Sequence, residues 1–162
     1  MAAGRPRKRA PAPGARRRAR ELALAVLYRA DLLGLGEAEA LASLPETFDL
    51  HVENWPPEDR VSRELWEEAA GYAARLVGGA LREREAVDAA IGAVSEDWPI
   101  ERLAATDRAL LRLAVWELGQ AESPPAVVVN EAVELAREYG EAESPKFVNG
   151  VLGAIVRAAE DG

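Results

Sequence analysis

Arg16, Arg17, Arg18 and Arg20 open an apolar stretch that closes on Leu27-Tyr28. Guanidinium forks pair with phosphates, and guanidinium planes and aromatic rings both stack on unpaired bases. At about 100° per residue, Arg17, Leu24 and Tyr28 fall nearly on one line of a helix, with Arg20 beside it and Arg16 on the same flank. The apolar face centres about half a turn away, and Arg18 lies on its other side. The spacing predicts a basic stripe ending in an aromatic ring, displayed from a rigid helix. The competing reading is that the arginines solvate an exposed helix start. A helix N-terminus prefers acids, however, so arginines clustered there argue for an external anion.

The charge distribution points the same way. Residues 1–20 hold eight basic side chains and no acid, whereas the remaining 142 hold twelve basic and all 28 acidic ones. A net charge of −8 therefore conceals a basic arm on an acidic body, the asymmetry of a chain that meets a polyanion. Charge alone leaves RNA, DNA and membrane surfaces open. Residues 1–14 contain three prolines and two glycines and cannot bury enough surface to order themselves. The expected division is a disordered basic arm, 1–14, and a folded domain, 15–162.

Several chemistries are excluded. Without cysteine there is no disulfide, thiolate metal site or cysteine nucleophile, and with His51 as the single histidine there is no multi-histidine metal centre. Carboxylate pairs such as Glu67-Glu68 and Glu96-Asp97 are expected to be solvated helix faces. No glycine-rich phosphate loop occurs. No catalytic residue, cofactor or metal is expected. No apolar run is long enough to span a bilayer. Glu21 and Arg29 bracket the stretch Leu22–Tyr28, and no small-residue cleavage site follows it, so it does not read as a signal peptide. A cytoplasmic location is expected.

The elements that must position the arginines read as helices. Ala19, Leu22, Ala23, Val26, Ala30 and Leu33 recur at three- and four-residue spacing from about Ala15, and Gly34 and Gly36 end that helix. A short helix from Glu37 to Leu44 is expected to stop before Pro45, with a loop over 45–60 whose Phe48, Leu50 and Trp55 fold back on the body. Ser62 caps a long helix with Leu65, Ala69, Tyr72, Leu76 and Val77 inward, broken at Gly78-Gly79 or at Arg82–Glu85. Val87, Ile91 and Val94 mark the next helix. Thr106-Asp107 caps a helix from Ala109 to Leu118, and Pro124-Pro125 opens one that runs to Tyr139. Gly140 is expected to close that helix in the left-handed conformation. Ser144-Pro145 starts the last helix as cap and first residue. Val127–Val156 also has the outline of a DNA-reading helix-turn-helix. Glu138, Glu141 and Glu143 crowd its turn, which favours a plain helical hairpin. The fold class is all-α.

Four segments together resemble the NusB family. Arg16-Arg17-Arg18-Ala19-Arg20-Glu21 leading to Leu27-Tyr28 is similar to its arginine-rich first helix, and Asp107–Leu113 through Glu117-Leu118 to its fifth-helix signature. Asn130–Ala136 and Lys146–Leu152 are similar to its two C-terminal signatures. The resemblance implies about seven helices in two small bundles packed across each other. It implies a transcription antitermination factor that binds the boxA single strand of nascent ribosomal RNA together with ribosomal protein NusE, within an RNA polymerase antitermination complex. It places Arg16, Arg17, Arg20, Lys146 and Phe147 at the RNA and Tyr28 near RNA or protein contacts. Glu143, just before Ser144-Pro145, then becomes a charge that weakens RNA binding. Two other functions fit less well. One is the module preceding an RNA cytosine methyltransferase, which needs an α/β domain and a catalytic cysteine that this chain lacks. The other is a helical protein-interaction adaptor. Apolar helix faces also leave a homodimer open.

Overall fold

The computed structural model describes residues 13–53 and 63–162, so the arm to residue 12, Trp55 and the Ser62 cap lie outside the described residues. Those described form eight α-helices and one 3-10 turn, with no strand among them. Helix α1 runs from Pro13 to Leu33, two residues earlier than the composition suggests. Gly34 ends it with φ of 66°, a conformation that costs glycine nothing. Helix α2 is Glu37–Ala42 and α3 is Leu44–Val52. Helix α2 thus stops before Pro45 as expected, two residues short of Leu44, but the loop expected over 45–60 is wrong as far as Val52, which is helical. A proline in the first turn of a helix gives up an N–H that had no partner there, so Pro45 begins α3 instead of opening a loop. His51 is on this helix, its Nδ1 3.0 Å from the Thr47 carbonyl oxygen. Phe48 stacks on Trp66, whereas Leu50 is exposed.

Helix α4, Arg63–Arg82, passes straight through Gly78-Gly79. The reason is tertiary: a Cβ on Gly79 would lie 2.0 Å from the Trp116 ring. Helix α5 is Arg84–Val94 and, after a 3-10 turn at Ile100–Arg102, α6 is Ala105–Gln120. Thr106 and Asp107 thus lie inside the first turn of α6, not before it. Helices α7, Pro125–Tyr139, and α8, Ser144–Glu160, complete the chain. Gly140 between them is extended, φ −92° and ψ −170°, not left-handed. Glycine is required there for close approach, since a Cβ would fall 2.6 Å from that of Ser144. Ser144 is itself the first residue of α8 and accepts the Glu141 N–H on its Oγ, 2.9 Å, while Glu143 takes the cap position.

Helices α1 to α4 pack mainly on one another, α5 to α8 do the same, and α6 lies against α1 and α4 as well as α5, α7 and α8. This is the expected pair of small bundles, joined through one core in which Leu22, Leu76, Ile91, Leu110, Leu111 and Leu152 are fully buried. Central placement has a consequence for α1. Its stripe Ala19, Leu22, Ala23, Val26 and Ala30 is buried as the period predicts, and so is Leu24, while Leu33 is exposed. No helix among the described residues is long and apolar enough to cross a membrane.

Candidate nucleic-acid interface

The first turns of α1 aim its arginines at α4, α6 and the N-terminal half of α7. Arg17 is outermost. Its side chain is 56% exposed, and its Nε and Nη2 each donate to Glu131 on α7 at 3.0 Å. That hydrogen bond, then the Glu131 charge, raises the Arg17 pKa, and the same pair holds the Glu131 carboxyl below its usual range. Arg16 is half-buried. Its Nη1 donates to Ser123 Oγ at 3.0 Å, and its guanidinium lies over the Tyr72 ring, 5.7 Å from the centroid.

Arg20 is placed differently from the sequence expectation. It is 4% exposed and gives Nε and Nη2 to the carboxylate of Glu117 on α6, at 2.8 and 2.9 Å. Burial works against its charge, but the Glu117 hydrogen bond and charge outweigh burial. Tyr72 donates its hydroxyl to the same carboxylate and stacks beside Arg20, and burial followed by this hydrogen bond pushes its pKa up to about 12. A buried carboxylate must be paired, and Arg20 is the cation that pairs it. Arg20 therefore backs the arginine edge from behind instead of presenting a free fork. Arg18, at the far flank, donates to Glu21 at 2.9 Å.

Tyr28 is 39% exposed at the other end of α1, in a cavity of about 240 Å³ with Glu21, Leu24, Ala25, His51, Thr106 and Tyr139. It does not join the arginines. Burial raises the Glu21 carboxyl and the Tyr139 hydroxyl, so this niche disfavours the charged form of both groups. Lys146 and Phe147, on the first turn of α8, line a groove of about 480 Å³ with Trp98, Glu96, Asp97 and Glu143. Lys146 is exposed and Phe147 packs partly against the core. Between the arginine edge and the Lys146 groove stands α7. Arg137 lines one depression with Arg17 and another with Lys146, so cations follow one another across its outer face, with Glu134, Glu138 and Glu141 between them.

The sequence model of the NusB family matches residues 17–157, from the arginine cluster to the last turns of α8. The chain belongs to the NusB family. The transcription antitermination protein NusB of Symbiobacterium thermophilum is 44% identical over 144 residues, 88% of this chain and 89% of its own. That of Rubrobacter xylanophilus is 42% identical over 147 residues, 90% of each. A crystal structure of antitermination factors NusB and NusE in complex with dsRNA has a TM-score of 0.69 at 35% identity, covering 91% of this chain and 99% of that one. The solution structure of NusB from Aquifex aeolicus has 0.67 at 34%, covering 91% and 90%.

In this NusB-family chain the Asp107–Leu113 segment has a structural part to play. Arg108 binds Asp31 at 3.0 Å, and Arg112 bridges Asp31 at 3.1 Å and Asp88 at 2.8 Å, tying α6 to α1 and α5. Sequence reasoning missed Tyr72, Glu117, Ser123 and Glu131 as partners of the arginines. A signal existed for one of them. Glu117 lies three and four residues after Ala114 and Leu113 on the buried stripe of α6, and an acid there demands a cation.

Proposed function

We propose that this chain is a transcription antitermination factor that binds RNA together with NusE and has no enzyme activity. The observation that carries the reading is its match, over about nine-tenths of its length, to relatives that bear the name transcription antitermination protein NusB. A solved NusB in complex with NusE and dsRNA, similar over 91% of this chain, supports the two partners. The methyltransferase-module and adaptor readings are not favoured, because the relatives so named are themselves covered to 89% or 90%.

The RNA is the boxA single strand of nascent ribosomal transcripts, bound within an RNA polymerase antitermination complex. Arg16 and Arg17 meet phosphates, Arg20 holds that edge in place, and Lys146 and Phe147 take up the strand beyond α7. Tyr28 serves contacts at the other end of α1. The deciding experiment titrates the protein with a boxA-like strand, a scrambled strand and a boxA-containing duplex at one salt concentration, with and without NusE. Preference for the boxA strand, strengthened by NusE, is the expected result. Equal binding of all three RNAs would refute sequence-selective recognition, and no binding would refute the function.

A further inference from the structure

Arg75 on α4 lies outside every segment that marked the arginine edge, yet it stands beside it. Tyr72 and Arg75 are three residues apart and share a helix face. The guanidinium of Arg16 covers the Tyr72 ring and its Nη1 holds Ser123, while Arg75 Nη2 donates to Oε1 of the adjacent Glu122. Two arginines from different helices thus converge on one dipeptide, Glu122-Ser123, just after the residue that caps α6, Ala121, with φ of 54°. Arg16 also keeps a buried Nε without a hydrogen-bond partner among the described residues. The Arg75 hydrogen bond, working against desolvation and helped by the charges of Arg75 and then Arg16, holds the Glu122 carboxyl below its usual range.

We infer that Arg75 and Arg16 form a phosphate-binding site at Glu122-Ser123, in which the Glu122 carboxylate occupies the place that an RNA phosphate takes. The inference rests on the RNA-binding reading above and extends its surface from α1 onto α4. A phosphodiester offers a guanidinium fork two anionic oxygens, as a carboxylate does, so the exchange is like for like. The Arg75–Glu122 pair is 52% and 45% exposed, which makes it cheap to open. The Arg20–Glu117 pair behind it is 5% and 4% exposed and stays shut, balancing its own charge. Once Glu122 swings into water, two cations face the strand with no acid between them.

The test uses the full chain with NusE and a labelled boxA-like strand, titrated at several salt concentrations, with melting temperature followed for each variant. Arg75→Ala should bind about three- to ten-fold more weakly at low salt, as for one charge-assisted contact at a solvated surface. Its log–log salt slope should fall by about 0.7. Arg75→Lys should keep the slope and recover part of the affinity, because the charge remains and the fork is lost. Glu122→Gln should bind a few-fold more tightly at low salt and converge on wild type as screening rises. The double variant should bind like Arg75→Ala, since Glu122 acts through Arg75. A wild-type salt slope in Arg75→Ala overturns the inference and reduces the pair to a tie between α4 and the loop. A gain from Glu122→Gln that persists undiminished without Arg75 also overturns it, leaving a general field effect. Failure of the wild-type protein itself to bind any RNA would instead overturn the function on which the inference stands.

Discussion

Replacing Arg17 and Arg20 separately with alanine should separate binding from folding, although the two residues are one helical turn apart. Arg20→Ala leaves Glu117, whose side chain is 4% exposed, with the Tyr72 hydroxyl as its remaining partner. Removing one member of a buried ion pair costs about 3–5 kcal/mol, because the other charge stays in low dielectric. For a domain of this size each kcal/mol moves the melting temperature by about 2–4 °C, so a fall of roughly 6–20 °C is expected. Arg17 and Glu131 are 56% and 21% exposed, and solvent screening reduces that pair to about 0–1 kcal/mol, less than roughly 4 °C. RNA binding should respond in the opposite order. Arg17→Ala loses a phosphate contact and about 0.7 of salt slope, whereas Arg20→Ala, measured well below its melting point, keeps the slope. Thermal melts followed by circular dichroism and RNA titrations at four salt concentrations supply both readings. An Arg20→Ala protein that melts near wild type but loses salt slope would refute the reasoning. Arg20 would then meet the phosphates, and the Glu117 pair would be incidental.

Three further outcomes are expected. Glu143→Gln, at the cap of α8 in the groove of Lys146 and Phe147, should tighten RNA binding roughly two- to five-fold at low salt, with the gain shrinking as salt rises; equal or weaker binding at low salt would remove this groove from the RNA surface. Burial alone would raise the Asp31 carboxyl, but hydrogen bonds and charge from Arg108 and then Arg112 hold it below its usual range. Its contribution is therefore present above the unfolded value of about 3.9 and lost as pH falls through the lower folded value. Urea midpoints for Asp31→Asn should accordingly drop at neutral pH and show a shallower acid limb below about pH 4 than wild type. Gly79→Ala should destabilise by about 1–3 kcal/mol through the clash with Trp116, while Gly78→Ala, whose Cβ meets nothing closer than 3.5 Å, should be neutral or mildly stabilising in the same denaturation assay.

The apolar period of α1, α4 and α6 was legible because burial in a helix recurs every three or four residues, and the burial of Leu22, Val26, Leu76 and Leu110 follows it. The arginine cluster was legible as well, since residue type and local spacing suffice to propose an anion. Local chemistry reached its limit at Pro45 and Gly140, where the same residue fits a helix start or stop, a left-handed turn or a close contact. Of the two expected breaks, Gly78-Gly79 and Arg82–Glu85, α4 takes the second, and only the Trp116 ring lying on Gly79 explains why a helix interior carries a glycine there. The greatest difference lies in which arginines are free. Arg20 meets Glu117 97 residues away, Arg16 meets Ser123 at 107 and Arg17 meets Glu131 at 114. A helix sequence specifies the angle at which each side chain leaves its axis, but not which neighbouring helix stands there. The sequence by itself determined an all-helical body with a basic helix start. Only the packing of α4, α6 and α7 around α1 decided that one arginine is sealed against a buried acid, two stay near solvent, and Arg75 arrives from another helix to stand with them, because Coulomb and hydrogen-bond energies depend on distance and burial.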